Sequence, residues 1–340
     1  MTTKGLVLVT GASGYIASAI IQQLAAAGWS LRGTVRSPAK HTGLAASLGL
    51  KTAQLPLFAA DLQSDDGWAN AVTGCDYVMH IASPLPATTP QSADDLIGPA
   101  RDGALRALRF ARDAGVQRLV MTSSVAAICY GRDDGKSTFT ESDWTNPDHP
   151  DAYPYVQSKT IAERAAREFM AREGGNLEFV TINPSLVLGP VSGPDFSTSI
   201  EAIAQLLGGK LPGSPRLGFA VVDVRDVAAA HVAAMTASDM NGERFIVAGP
   251  FLWMTEIAEI LKRRLGAKAR RVPTRGLPDW LVRLSALVNP TVRSVLTELG
   301  RTRNCDTSHV RAKLGWTPRD TEDSIVECAE SLIAVGVVRV

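Results

Sequence analysis

A tyrosine and a lysine stand four residues apart in Tyr155-Val156-Gln157-Ser158-Lys159. The surrounding segment, 153–173, reads as a helix, and that spacing sends both side chains from one face with Cβ atoms about 5–6 Å apart. Free phenols ionise near pH ~10, so a proton-donating tyrosine needs a neighbouring cation to favour the phenolate. The alternative is a surface tyrosine packed on a lysine stem. A second group bears on the choice. Val120-Met121-Thr122-Ser123-Ser124 ends an apolar run upstream, and residues at the carboxyl end of a parallel strand face a ligand cleft. Hydroxyls there and a Tyr–Lys pair on the next helix suit reduction of a carbonyl. Charge then develops on oxygen, which needs hydrogen-bond donors and finally a proton. Ser124 would hold the carbonyl oxygen and Tyr155 would protonate it. Lys159 would supply the cation and hold a ribose.

A nucleotide would provide that ribose. Leu6-Val7-Leu8-Val9 runs into Thr10-Gly11-Ala12-Ser13-Gly14-Tyr15-Ile16-Ala17. A glycine turn between a buried strand and a helix start presents backbone N–H groups to a pyrophosphate. Gly11 permits the turn, Gly14 leaves room for phosphate, Ala17 allows close helix packing, and Ser13, Tyr15 and Ile16 complete the cradle. A plain structural turn reads the same way. The second strand ends at Arg36, about 20 residues past the turn, where an NAD enzyme carries an acid. Arg36, with Arg32 and Lys40 nearby, suits a 2′-phosphate and hence NADP(H), unless Arg36 is only a solvated strand end. Asp61-Leu62 follows the third strand. Its carboxylate and backbone N–H suit an adenine edge, although Asp61 equally suits a helix N-cap.

These residues need a scaffold. Apolar runs at 5–10, 30–36, 53–59, 76–82, 117–123 and 177–183 alternate with helical patterns at 14–27, 64–73, 92–114 and 153–173. That alternation predicts an α/β fold: a doubly wound parallel sheet of Rossmann type covered on both faces. After Asn183-Pro184 the pattern changes to a Gly/Pro/Ser-rich stretch with one helix near 198–208. A strand and helix return at 219–236, followed by a strand at 243–248 and a helical tail. The predicted division is a nucleotide-binding domain of 1–183 plus 218–249 and a smaller C-terminal substrate lobe of 184–217 plus 250–340. Among 340 residues, 35 basic and 34 acidic side chains leave a net +1, so neither nucleic acid nor an anionic membrane is expected as partner. Cys75, Cys129, Cys305 and Cys328 show no metal-ligand spacing, so no metal is expected. The chain reads as a cytoplasmic protein, monomeric or homodimeric, without a signal peptide or membrane span.

Together the Thr10–Ala17 turn, the Thr122-Ser123-Ser124 strand end and the Tyr155/Lys159 pair resemble the extended short-chain dehydrogenases/reductases. Val78-Met79-His80-Ile81-Ala82-Ser83-Pro84 is similar to the H-x-A-S-P of its dihydroflavonol-reductase-like branch, which includes cinnamoyl-CoA reductases and microbial aldehyde and ketone reductases. Asn183–Pro190 and Asp223–Ala228 also recur at the expected places. The resemblance implies NADP(H) and a small-molecule carbonyl substrate. It places Ala82, Ser83 and Pro84 along the cofactor, and Pro184 with Leu186 or Val187 beside its nicotinamide. It also makes Ser124, last in its run, the active hydroxyl rather than Ser123. Nucleotide-sugar epimerases or dehydratases, 3β-hydroxysteroid dehydrogenases and NADP-sensing regulators share the fold and stay open as alternatives. His80 and His231 read as core histidines, Asp133-Asp134 as a solvated loop, and Trp253, Trp280 and Trp316 as lobe core. Specificity is expected in 84–99, 125–150, 190–217 and the tail.

Overall fold

Leu6–Val9 is apolar at every position, the pattern of a strand buried on both faces, and it forms an interior strand of the central sheet. The computed structural model describes residues 4–84, 93–193, 198–287, 292–293 and 296–339. Residues 85–92 and 194–197, within two of the segments expected to set specificity, lie outside these. The early strands are β1 (Lys4–Thr10), β2 (Trp29–Val35), β3 (Leu57–Ala59), β4 (Tyr77–His80) and β5 (Arg118–Thr122). After the short β6 (Thr138–Phe139) come β7 (Glu178–Pro184), β8 (Leu186–Leu188), β9 (Ser214–Pro215), β10 (Gly218–Asp223), β11 (Arg244–Val247) and β12 (Phe251–Trp253). Seven of them form one sheet in the order β3-β2-β1-β4-β5-β7-β11, every neighbouring pair parallel. The order reverses between β1 and β4, which makes the carboxyl ends of those strands the expected ligand crevice.

Among the described residues the helices include α1 (Tyr15–Ala26), α2 (Leu44–Ser47), α3 (Trp68–Val72), α4 (Asp94–Asp113), α5 (Pro154–Glu173), α6 (Thr198–Leu207), α7 (Val224–Thr236), α8 (Met254–Leu265), α9 (Asp279–Ser285), α10 (Ser308–Leu314) and α11 (Thr321–Ala334). Strand alternation decides which face each covers. Val7 and Val9 of β1 pack with Ile20, Leu24, Val227 and Ala234, so α1 and α7 lie on one side. Leu8 packs with Ala104, Leu108 and Ala166, so α4 and α5 lie on the other.

Beyond Pro184 a second core forms around Leu188, Ile200, Leu206, Val221, Ile257, Leu261 and Ile325. It joins α6, α8 and α11 to a three-stranded sheet in which β10 runs parallel to β8 and antiparallel to β12. The strand and helix expected at 219–236 are present as β10 and α7. The strand from 218 does not join the central sheet, because β11 already fills the slot beside β7, pairing Arg244 with Thr181. Two other elements are shorter than expected. Residues 52–54 form a 3-10 turn ahead of β3. α3 starts only at Trp68, after Gly67 in the left-handed region at φ +80°. Trp316 is buried, but Trp280 is 66 % exposed and lies outside the core. Among the described residues no helix is long and apolar enough to cross a membrane.

Candidate active site

The β1–α1 turn is held by backbone contacts. Gly11 has φ +64°, and a Cβ there would stand 3.0 Å from the Ala82 Cα, so the turn touches the loop leaving β4. Gly14 N–H donates to the Gly11 carbonyl at 2.8 Å, and Ala12 N–H to the Thr34 carbonyl at 2.9 Å, which ties the turn to β2. Gly14 begins α1 in an extended conformation, with no side-chain cap and no acid in the first turn. Ser13 and Gly14 are exposed, Tyr15 and Ile16 half-buried, and Ala17 fully buried. An uncapped helix start approached by a glycine turn fits a pyrophosphate.

The cations at the end of β2 divide into two kinds. Arg32 caps α3, donating to the Ala71 and Thr73 carbonyls at 2.8 Å while its guanidinium stacks on Phe58. It is committed to structure. Arg36 and Lys40 are exposed, and no described residue forms a hydrogen bond or ion pair with the side chain of either. Asp61 does not cap α3, which begins seven residues later; its Oδ1 accepts from Gln63 N–H in a local turn. The Leu62 side chain packs on Gly103 of α4.

Pro154 at the first turn starts α5 and leaves Tyr155 at its exposed beginning. Tyr155 is 38 % exposed, and Lys159 Nζ lies 5.9 Å from its ring centroid, so the two share a face. The same stripe continues one turn on to Glu163, which the sequence reading did not single out. This fully buried carboxylate accepts from Ser123 Oγ at 2.5 Å, Asn183 Nδ2 at 2.8 Å and Arg244 Nε at 2.6 Å. Burial alone pushes its carboxyl up, but Arg244 and Arg167 outweigh that and hold it below its ordinary value. Arg244 also donates to the Ala127, Glu141 and Asp143 carbonyls, stacking on Trp144 at 3.7 Å.

This network separates the two serines. Ser123 gives its proton to Glu163. Ser124 caps the 3-10 turn at 125–127, its Oγ accepting from Ala126 N–H at 3.1 Å, and Asn183 Nδ2 holds its carbonyl at 3.1 Å. Among the described residues its own hydroxyl hydrogen meets no acceptor, which leaves it free to donate.

Two hollows flank this strand end. His80, Ala82, Ser83, Pro84, Ser123 and Lys159 line the first. Thr10 Oγ1 accepts from Ile81 and Ala82 N–H, both at 3.0 Å, so its hydrogen goes to His80 Nδ1 at 3.1 Å. His80 is thus the Nε2–H tautomer. Burial, with Lys159 nearby, pulls its pKa down to about 3. His231 is likewise buried, bonded to Thr122 and to the Val227 carbonyl. Val125, Ser185 and Leu186 line the second hollow. Pro184 is buried beside it in β7; Val187 points into the core and pairs with Val222. The Asp133-Asp134 loop is tied down by His149 and Arg132 and lines neither hollow.

A family model described as the NAD dependent epimerase/dehydratase family matches residues 7–248. The chain belongs to this family, the extended short-chain dehydrogenases/reductases. Its relatives include cinnamoyl-CoA reductase 1 of Arabidopsis thaliana, 37% identical over 76% of this chain and 74% of the relative. Tetraketide alpha-pyrone reductase 1 of the same plant is 30% identical over 98% of this chain and 97% of its own. Among solved structures, yeast methylglyoxal/isovaleraldehyde reductase complexed with NADPH superposes with a TM-score of 0.81 at 26% identity, covering 97% of this chain and 98% of that one.

Proposed function

We propose that this NADP(H)-dependent oxidoreductase is a carbonyl reductase that converts an aldehyde or ketone to an alcohol, with Tyr155 as proton donor. The observation that carries the reading is the division of labour at the end of β5. Ser123 is spent on Glu163, Ser124 keeps a free donor, and Tyr155 stands exposed with Lys159 on its face. The reductases among its relatives support it.

The residues present fit the coenzyme. The Gly11–Gly14 turn and the start of α1 would hold its pyrophosphate with Ser13, Tyr15 and Ile16, and Arg36 with Lys40 would hold its 2′-phosphate. Asp61 and Leu62 would meet the adenine, while Ala82, Ser83, Pro84, Pro184 and Leu186 would line the nicotinamide half. When bound, NADPH supplies the hydride that the carbonyl carbon accepts. Ser124 donates to the carbonyl oxygen and fixes its orientation, and Tyr155 Oη gives up the proton that makes it a hydroxyl. Lys159 favours the phenolate left behind and reaches the ribose. We place the edge of the nucleotide-binding unit at Val224 rather than 218, since β10 pairs with β8 and β12. The test is NADPH oxidation with a panel of aldehydes and ketones. Turnover that Tyr155→Phe removes is expected; no turnover on any carbonyl would overturn the reading.

A further inference from the structure

The second hollow contains polar atoms that the fold leaves unsatisfied. Ser185, Glu298 and Arg303 all line it. Among the described residues Ser185 Oγ, Glu298 Oε1 and Arg303 Nη2 are each buried without a hydrogen-bond partner, and the Tyr130 hydroxyl interacts with the Glu298 carboxyl. Glu298 is 2 % exposed, and its other oxygen pairs with Arg303 Nη1. Asp151 Oδ2 stands 3.6 Å from Arg303 Nη2, too long for a hydrogen bond, and Arg303 Nε donates to the Cys129 carbonyl at 3.0 Å. Orphaned polar atoms are costly in a folded interior, and three around one hollow point to a ligand that completes them.

The hollow also adjoins the reacting groups. Val125 follows Ser124, and Leu186 follows Pro184 and Ser185. Arg303 stacks on Tyr130 at 4.0 Å, Tyr130 meets Tyr153 edge-on at 5.9 Å, and Tyr153 stacks on Tyr155 at 6.4 Å. We infer that this hollow is a subsite for a neutral hydroxyl group carried on the substrate away from the reacting carbonyl. The inference rests on the carbonyl-reductase reading and narrows it to hydroxylated carbonyl compounds. Charge decides the class. A substrate carboxylate would meet Glu298, and an ammonium would meet Arg303. A hydroxyl can donate to Glu298 Oε1 and accept from Ser185 or Arg303. Burial pushes the Glu298 carboxyl up, and a hydroxyl serves either form, as donor to the carboxylate or acceptor from the acid. Phe219, Ala220 and Val125 supply the apolar wall for the carbon chain between the two groups.

The experiment compares ketones of increasing chain length bearing a terminal hydroxyl, each against its deoxy parent, by NADPH oxidation. At least one hydroxy ketone should exceed its parent by about tenfold or more in kcat/KM, the ratio expected of one hydrogen bond to a charged partner. Glu298→Gln should shrink that ratio several-fold, and Ser185→Ala should shrink it by less. Ser185→Ala and the wild-type ratio decide the matter if Glu298→Gln fails to fold. No preference in any pair, or a preference unchanged in both variants, would overturn the subsite. If neither member of any pair is reduced and the wider panel of aldehydes and ketones is not reduced either, the carbonyl-reductase reading falls. The hollow is then judged by calorimetry of the same pairs on the NADP⁺-loaded protein, where equal affinities would overturn it.

Discussion

At the scale of single residues, the site turns on which hydroxyls are free. Tyr155→Phe removes one oxygen from an exposed helix start, so fold and NADPH affinity should persist while kcat falls by roughly 10²–10⁴. Steady-state kinetics with a coenzyme titration checks both halves. Ser124→Ala removes a donor to developing charge and should cost about 10²–10³ in kcat. Ser123→Ala takes one donor from Glu163, which keeps Arg244, Arg167 and Asn183, and should slow turnover far less. A larger loss from Ser123→Ala would reverse the assignment. The Tyr–Lys pair was legible because helical spacing is local information. Glu163 was not, since a glutamate eight residues after Tyr155 on α5 reads as a solvated charge. Its burial depends on Arg244, 81 residues away, and no local pattern records that partner.

At the scale of elements, Arg36 shows what a strand end contributes. Its guanidinium is exposed and unpaired among the described residues, whereas Arg32 is bound into the end of α3. The enzyme should therefore prefer NADPH over NADH by tenfold or more in kcat/KM, as a charge-assisted phosphate contact of about 1.5–3 kcal/mol implies. Arg36→Asp should remove most of that preference, and equal use of both coenzymes by the unmutated enzyme would count against the assignment. Gly11→Ala tests the turn itself. At φ +64° with a Cβ 3.0 Å from Ala82 Cα, it should raise the NADPH Kd at least tenfold by calorimetry. The central strands were legible because buried parallel strands are continuous apolar runs bounded by glycine or polar turns. Partner choice was not. Nothing in Gly218–Asp223 says that it pairs with β8 rather than β7; the competing claim of β11 decides that. The short α3 has a local cause in Gly67, whose left-handed conformation a helical period does not register.

At the scale of the whole molecule, two fully buried imidazoles couple stability to pH. Burial pulls His80 to about 3 and His231 to about 4, below the ordinary 6.5. Both are neutral in the fold, yet both take up protons in the unfolded chain once the pH drops below about 6.5. Unfolding then binds more protons than the native state, so stability falls as pH falls. The loss starts near 6.5 and ends as each folded value is passed, near 4 for His231 and near 3 for His80. Each histidine contributes at most about 1.4 kcal/mol per pH unit, or up to about 4 kcal/mol for the pair by pH 5. The carboxylates held low by cations, Glu163 and Asp223, have the same sign but act only below their ordinary range near pH 4. His149, held up by Asp133 and Asp151, has the opposite sign: its contribution is present below 6.5 and lost as pH rises through its raised value. It sits in the loop and is solvent-screened, so the buried pair should dominate. Urea midpoints should change only slightly from about pH 8 to about pH 7, where His149 alone of these histidines acts, and fall steadily from about pH 6 to about pH 5. A His231→Gln variant, whatever its absolute stability, should show a shallower fall over the same range. A flat profile down to pH 5, or an unchanged slope in that variant, would mean that these imidazoles are not kept neutral by the fold.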